Sequence, residues 1–351
     1  MGENLWYDGS KLISSLDISG LKPTIFAVDG NRSDGKTTWF IRMLINRFKK
    51  GKIRKFMIVK RFKYQLPHTD QKIFKLVQQK WFRHDVMTSE KREGGQYYEL
   101  FLNEKPCAYV VDVNSAFTLK DISQFFADTD AIFMDEFQSL QYADDEITKF
   151  HTLYTSVARG INEPVRYVPV YMCCNHVTSL NPYYKAWGVC DRIDGIKKGF
   201  IKGDGFIIER DFNERVSNLQ AESGFNRAFK NSEVYEHTVN NTSFIDNFSF
   251  IEKLKTRRFD YICNIIVDGV YCSLVRVYDV PGVNYYFSDN VNMNCKTNFV
   301  VKSNDHTIDT FLLKRNIQFL YSLKNQFDHG FIRFSSLEIK EKAFDFLTIM
   351  V

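Results

Sequence analysis

The sequence predicts an α/β protein of two domains. The first is built on a mostly parallel sheet around a phosphate-binding turn; the second is smaller and also α/β. Three observations predict this. Gly30-Asn31-Arg32-Ser33-Asp34-Gly35-Lys36-Thr37 matches G-x-x-x-x-G-K-[ST] in full. An apolar, β-rich run (Thr24–Val28) precedes it and a helical pattern (Thr37–Lys50) follows, the context that this motif needs. A second apolar run, Ala131–Met134, ends in Asp135-Glu136, as a strand buried on both faces of a parallel sheet would. Strand and helix patterns alternate to about residue 205, and then give way to polar sequence and β-runs.

The glycine-rich turn is read as a P-loop. Its glycines let backbone N–H groups point inward at phosphate oxygens, and the helix start behind it adds a partial positive charge. The expected nucleotide contacts run from Gly30 to Thr38. Lys36 is placed to reach the β- and γ-phosphates, and Thr37 offers a hydroxyl to Mg²⁺. ATP and Mg²⁺ are therefore the expected cofactors. Asp135 is the candidate for the Mg²⁺ shell, and Glu136 the candidate base that orients the attacking water. A third strand, Val165–Cys174, ends at Asn175, where open α/β sheets place ligand contacts. Its amide could sense the γ-phosphate, or simply end the strand in a turn. Pro169 inside that run marks a bulge or a late strand start.

Further elements follow from local pattern. Lys55–Arg61 is a strand ending in bases, and Phe62-Lys63-Tyr64 continues a cationic, aromatic corner. Ile73–Trp81 reads as a short helix, Thr88–Gly95 as a polar turn, Tyr97–Leu102 and Ala108–Val113 as strands, and Asp144–Val157 as a helix. Lys91 and Arg92 in the polar turn are candidate nucleic-acid contacts, with Lys60, Arg61 and Lys63 in second rank; solvated charge is the competing reading. Glu209–Arg227 reads as a helical linker, and Asn231–Asn247 suits a boundary near residue 240. The domains are thus 1–205, a linker over 206–240, and 241–351. In the last, Phe259–Val267 and Val270–Tyr278 form a hairpin about Asp268-Gly269, Asn284–Phe287 is another strand, and His306–Gln326 and Leu337–Met350 are helices.

Bulk properties narrow the class. The chain has 351 residues, 44% of them hydrophobic and 25% charged, as in globular proteins. There is no apolar run of about 18 residues, so no membrane span is expected, and the first residues resemble neither a signal peptide nor a myristoylation signal. The net charge of +5 permits a polyanionic partner without requiring one. The seven cysteines include no C-x-x-C pair, so reduced, buried thiols are expected and a zinc site is not. The 32 Phe and 18 Tyr are spread along the chain and read as core.

The motifs resemble those of the DNA-packaging ATPases (encapsidation proteins) of small tailed phages of the phi-29 group, which are related to the large terminase ATPases. Four blocks carry the resemblance: GNRSDGKTT with its internal Arg32, FMIVKRFKYQL, IFMDEF, and SVARGINEPVRYVPVYMCCNHVTSLNPYY. It covers most of the first 200 residues, and beyond them rests on the hairpin order and Gly330–Ser335. It implies an ASCE (RecA-like) P-loop domain and a homomeric ring, a pentamer, docked on the portal of an empty capsid with double-stranded DNA threading it. It leaves open whether a structural RNA bridges ring and portal. It also implies a trans-acting arginine at Arg159, with Arg166 as runner-up, and a role for Asn175 in coupling hydrolysis to movement. The tail falls where the family has an RNase H-like domain resembling a nuclease that has lost its activity. Asp268, Asp289 and Asp309 form no recognisable acidic constellation. The implied location is the host cytoplasm, with transient residence on the capsid. The competing readings are a packaging enzyme with a working nuclease and a nucleotide-dependent assembly switch.

Overall fold

The computed structural model describes residues 6–67, 74–139, 142–143, 145–159, 165–179, 181–194, 196–232, 235, 239 and 250–347. The chain divides into two units, Met1–Ile245 and Asp246–Val351.

The first unit holds a nine-stranded sheet. Its strands are β1 (Ile25–Gly30), β2 (Lys55–Lys60), β3 (Met87–Arg92), β4 (Tyr97–Leu102), β5 (Lys105–Asp112), β6 (Thr129–Asp135), β7 (Val170–Asn175), β8 (Gly199–Gly203) and β9 (Phe206–Asp211). The spatial order is β3-β4-β5-β2-β6-β7-β1-β9-β8. From β5 to β9 every pairing is parallel, and antiparallel hairpins close both edges. The central strands are apolar on both faces because both are covered. Phe26, Val28, Phe133 and Tyr171 share one cluster with Phe40, Ile41, Leu44 and Ile45 from the helix Lys36–Lys49. The Phe40 ring stands 5.5 Å from Phe133 and 5.7 Å from Tyr171. That packing fixes the helix, and with it the P-loop, over the carboxyl ends of β1, β6 and β7.

The sheet extends beyond residue 205. β9 pairs with β1 from Ile25↔Phe206 to Gly30↔Asp211, so the expected linker begins with a strand of the sheet, one in from its edge. The glycines and lysines of KKGFIKGD masked the hairpin that leads into it. Helices Glu214–Glu222 and Gly224–Ala228 follow; the expected boundary near residue 240 lies outside the described residues. Thr88–Gly95 is not a turn as a whole: Met87–Arg92 is the edge strand β3, and only Glu93–Gly95 turns. β7 starts late, at Val170, directly after Pro169. Ile73 and Asp144, where two expected helices begin, lie outside the described residues; the helices there run Lys75–Trp81 and Glu146–Val157.

The second unit is a six-stranded sheet under helices Ile317–Asp328 and Leu337–Leu347. Its strands are β10 (Phe259–Val267), β11 (Val270–Val277), β12 (Tyr285–Ser288), β13 (Asn298–Val300), β14 (Phe311–Leu312) and β15 (Ile332–Phe334), in the order β14-β13-β10-β11-β12-β15. The Asp268-Gly269 turn joins β10 and β11 with φ of 51° and 75°, the left-handed pair that a two-residue hairpin requires. The helix expected from His306 begins only at Ile317. Phe311-Leu312 is drawn instead into a short parallel strand beside Phe299-Val300. The core joins Cys263, Ile265 and Leu274 to Leu320, Leu323, Ala343 and Phe346. Six of the seven cysteines are buried, and all are free thiols. Among the described residues no helix is long and apolar enough to cross a membrane.

Candidate nucleotide site

β1 runs out at Gly30, where a side chain has no room: a Cβ would lie 2.4 Å from the Asp211 carbonyl oxygen. Gly35 starts the following helix with φ of 91°, which favours glycine. Between them the loop closes on itself. The Lys36 ammonium donates to the Asn31 carbonyl and, at 2.8 Å, to Asp34 Oδ2, while the Lys36 N–H donates to Asp34 Oδ1 at 3.1 Å. Both side chains are almost wholly buried, and burial pushes the Asp34 carboxyl above its usual range against the pull of Lys36. Lys36, expected on the phosphates, is thus held by an acid of its own loop, and to bind a phosphate it would have to exchange Asp34 for a phosphate oxygen. The Asn31 side chain turns away to accept the Asn213 N–H at 2.7 Å, and Arg32 and Ser33 are exposed.

Of the acid pair, Asp135 meets this loop. Thr37 Oγ1 donates to Asp135 Oδ1 at 2.8 Å. Lys60 pairs with Asp135 Oδ2 at 2.9 Å, and Cys173 Sγ lies 3.3 Å from Oδ1. Burial pushes the Asp135 carboxyl up, but Lys60 and hydrogen bonds from Thr37 and Cys173 outweigh it and hold the group below the usual carboxylate range. Glu136 is exposed, with φ of 58°. A non-glycine residue adopts that conformation only when its surroundings impose it, and here it swings the side chain out of the strand line. Asn175 stands level with Gly30 in the sheet.

Beside the P-loop helix lies a cavity of about 610 Å³, walled by Trp6, Tyr7, Trp39 and Trp81 and reaching Gly35 and Thr38. The Lys80 ammonium sits 4.5 Å from the Trp6 ring centre and 4.7 Å from that of Trp81. Flat apolar walls with a cationic rim suit a purine base. Sequence reasoning missed this wall because its aromatics are scattered and become one surface only in the fold. Tyr7 Oη donates to Glu209 Oε2 at 2.8 Å. Burial pushes the Glu209 carboxyl up to about 7, opposed by Tyr7 and aided by the charge of Asp211. Between the ordinary glutamate range and pH 7 the folded chain therefore holds a proton that the unfolded chain has lost. Stability falls as pH rises through that window, by up to about 3 kcal/mol. Urea unfolding of the wild type at pH 5 and pH 8 should show the drop, and Glu209→Gln should flatten it.

The expected DNA contacts divide. Lys91 is exposed on the edge strand β3, and Lys63 is exposed. Arg92 is neutralised by Glu90 at 2.7 Å and Glu99 at 3.0 Å. Lys60 serves Asp135, as above. Arg61 is buried, paired with Glu146 at 2.7 Å and donating to the Phe137 carbonyl at 2.9 Å. Lys60 and Arg61 therefore belong to the interior of the nucleotide domain and not to a DNA-facing surface.

Arg159 is exposed just past the helix Glu146–Val157. That helix starts beside Arg61, at the carboxyl end of β2. It ends at Ala158, whose carbonyl accepts the Arg166 N–H at 2.9 Å. Arg166 in turn pairs with Asp130, near the start of β6, at 2.9 Å. The length of β6, roughly 17 Å from Asp130 to Asp135, separates Arg159 from its own acid pair. Arg166 is excluded as a finger, since it also bonds the Thr129 and Val157 carbonyls. In the second unit, Asp268 is bracketed by Lys302 at 2.6 Å and Lys342 at 3.2 Å. Among the described residues, no group of three or more His, Cys, Asp or Glu is placed to hold a metal ion.

Residues 1–351 match the family model described as Podovirus DNA encapsidation protein (Gp16). Among solved structures, the chain is similar to one from the bacteriophage Phi-29 viral genome packaging motor assembly: 20% identity, TM-score 0.63, 97% of this chain and 98% of that one covered. It is also similar to the Phi-28 gp11 DNA packaging motor: 15% identity, TM-score 0.67, 99% of this chain and 100% of that one covered. No curated protein matches it.

Proposed function

The chain belongs to the podovirus DNA encapsidation proteins, and from that premise we propose both that it is an ATP-driven DNA-packaging motor and how its parts divide the work. One observation carries the reading: the P-loop threonine and the strand-end aspartate meet at 2.8 Å. An ionised carboxylate beside a hydroxyl fits Mg²⁺, which Thr37 and Asp135 would hold and which would neutralise charge on the β- and γ-phosphates. Lys36 and the loop N–H groups bind the phosphates, the aromatic cavity takes the adenine, and Glu136 orients water and accepts its proton. β7 stands between the P-loop strand and the acidic strand, an arrangement that supports an ASCE (RecA-like) domain.

Arg159 lies too far from its own acid pair to serve it. A neighbour in a head-to-tail ring, a pentamer in this reading, presents it to the next site. Double-stranded DNA passes through the ring and the portal into a preformed capsid, which places the protein in the host cytoplasm and then on the capsid. Of the nominated cations, Lys91 and Lys63 are exposed and available for phosphate contact; such contacts hold any sequence alike.

An RNase H-like reading of the second unit is supported by its topology. β10, β11 and β12 form an antiparallel meander, and β13 and β14 lie parallel to β10 on its other side. Two lysines occupy the Asp268 carboxylate, and neutral Asn264 and Asn298 meet at 3.0 Å in mid-sheet. Both weigh against cleavage, and DNA or portal binding is the role left to this unit in the reading.

The test is the ATPase rate with and without double-stranded DNA and empty capsids. Stimulation by both is expected; slow turnover indifferent to DNA would instead indicate an assembly switch.

A further inference from the structure

Asp29 immediately precedes Gly30, and its carboxylate is fully buried. Its Oδ2 accepts from Gln138 Nε2 at 2.9 Å, Tyr184 Oη at 2.7 Å and Arg210 Nη1 at 2.6 Å, and lies 2.8 Å from His176 Nδ1. Burial opposes the charge, but Arg210 and His176 hold the group well below the usual range. An anion so placed anchors whatever donates to it.

Gln138 is the donor of most consequence. It is buried and lies two residues after Glu136. Its Nε2 donates to Asp29 and also reaches Tyr184 Oη at 2.9 Å. Its Oε1 accepts the N–H groups of Val177 at 3.0 Å and Thr178 at 3.3 Å, just beyond Asn175. One amide therefore ties together the foot of the P-loop, the turn that carries the acid pair, and the segment that continues β7. Besides Gln138, the bond from the Phe137 N–H to the Cys173 carbonyl, at 3.2 Å, and the Arg61 guanidinium on the Phe137 carbonyl, at 2.9 Å, hold that turn. Glu136 sits within it in a left-handed conformation worth about 1–2 kcal/mol of strain, so the turn has reason to relax once a tether is cut.

We propose that Gln138 is a positioning residue for ATP hydrolysis. It holds Glu136 at the attacking water, and through Val177 and Thr178 it passes displacements at the Asn175 end of β7 back to that glutamate. The inference rests on Glu136 as the base and Asn175 as the residue that responds to the γ-phosphate. A misplacement of about 1 Å at a reacting group costs on the order of a hundredfold in rate, so a tether that touches no substrate can still control turnover.

The test compares full-length variants assembled with DNA. Gln138→Met keeps the side chain's length and removes its hydrogen bonds. It should lower kcat at least about tenfold while the KM for ATP stays within about twofold. Tyr184→Phe removes another donor from the same Asp29 oxygen and one acceptor of Gln138 Nε2, but leaves the Gln138 bridge from Asp29 to Val177 and Thr178, and should keep kcat within about twofold of wild type. An unchanged kcat in Gln138→Met overturns the inference. So does a parallel loss of kcat, ATP affinity and melting temperature in both variants, which would make the cluster a purely structural one. If Gln138→Met does not fold, Gln138→Asn, which keeps the amide but shortens its reach, is read by the same criteria. Glu136→Gln is measured alongside. If it turns over at the wild-type rate, the assignment of the base has failed; if it is inactive while Gln138→Met is normal, only the tether has failed.

Discussion

Glu136→Gln should give a chain that binds ATP as the wild type does and hydrolyses it about a thousandfold more slowly. General-base assistance contributes roughly 10²–10⁴, and an amide can orient a water without accepting its proton. The exposed, strained position of Glu136 beside the Thr37–Asp135 contact motivates this expectation. Lys36→Ala provides the contrast, because it should fail at binding. It removes the cation and leaves Asp34 as a buried carboxylate facing the incoming phosphates, and an uncompensated buried charge is strongly unfavourable. Titration with a fluorescent ATP analogue separates the two variants. An undiminished rate in Glu136→Gln would assign the base elsewhere.

Arg159→Ala should leave nucleotide affinity nearly intact and remove the ring-stimulated part of turnover, by about three orders of magnitude. The length of β6 keeps Arg159 from its own acid pair, so under the proposal above the charge it would stabilise belongs to a neighbour. Mixing gives the decisive measurement. Glu136→Gln subunits carry an intact arginine, and Arg159→Ala subunits an intact base, so some sites in a mixed ring regain both. Activity above the sum of the two inactive proteins is expected. Rings that assemble from the mixture yet stay inactive would confine the arginine to its own subunit or remove it from the reaction.

The candidate nucleotide site was legible because its signals are local. A P-loop and an acid pair announce themselves within a few residues, and the hairpin at Asp268-Gly269 needed only its turn chemistry. What escaped depends on pairing between distant segments. Lys60, Arg61 and Arg92 look in sequence like any solvated bases. Only the adjacency of β2 to β6 gives Lys60 to Asp135, only the start of the helix Glu146–Val157 gives Arg61 to Glu146, and only the β3–β4 pairing gives Arg92 to Glu99. The same holds for β9, whose glycine- and lysine-rich approach reads as a linker until Gly30 and Asp211 are found side by side. Lys91 and Lys63 alone of the nominated cations both remain exposed and lack an assigned acid in the site described above.

The acid inside the P-loop bears on how the protein lets its product go. A buried ammonium stripped of phosphate ordinarily faces a desolvation penalty of several kcal/mol, which resists departure of the nucleotide. Here Asp34 stands 2.8 Å from Lys36, a counter-ion carried within the loop. Under the proposed role of Lys36, the lysine would have a carboxylate to return to as ADP leaves, so the same contact that competes with arriving ATP would shorten the residence of spent nucleotide. Such a loop gives up some grip in exchange for a faster reset, which suits an engine that must empty its site on every stroke.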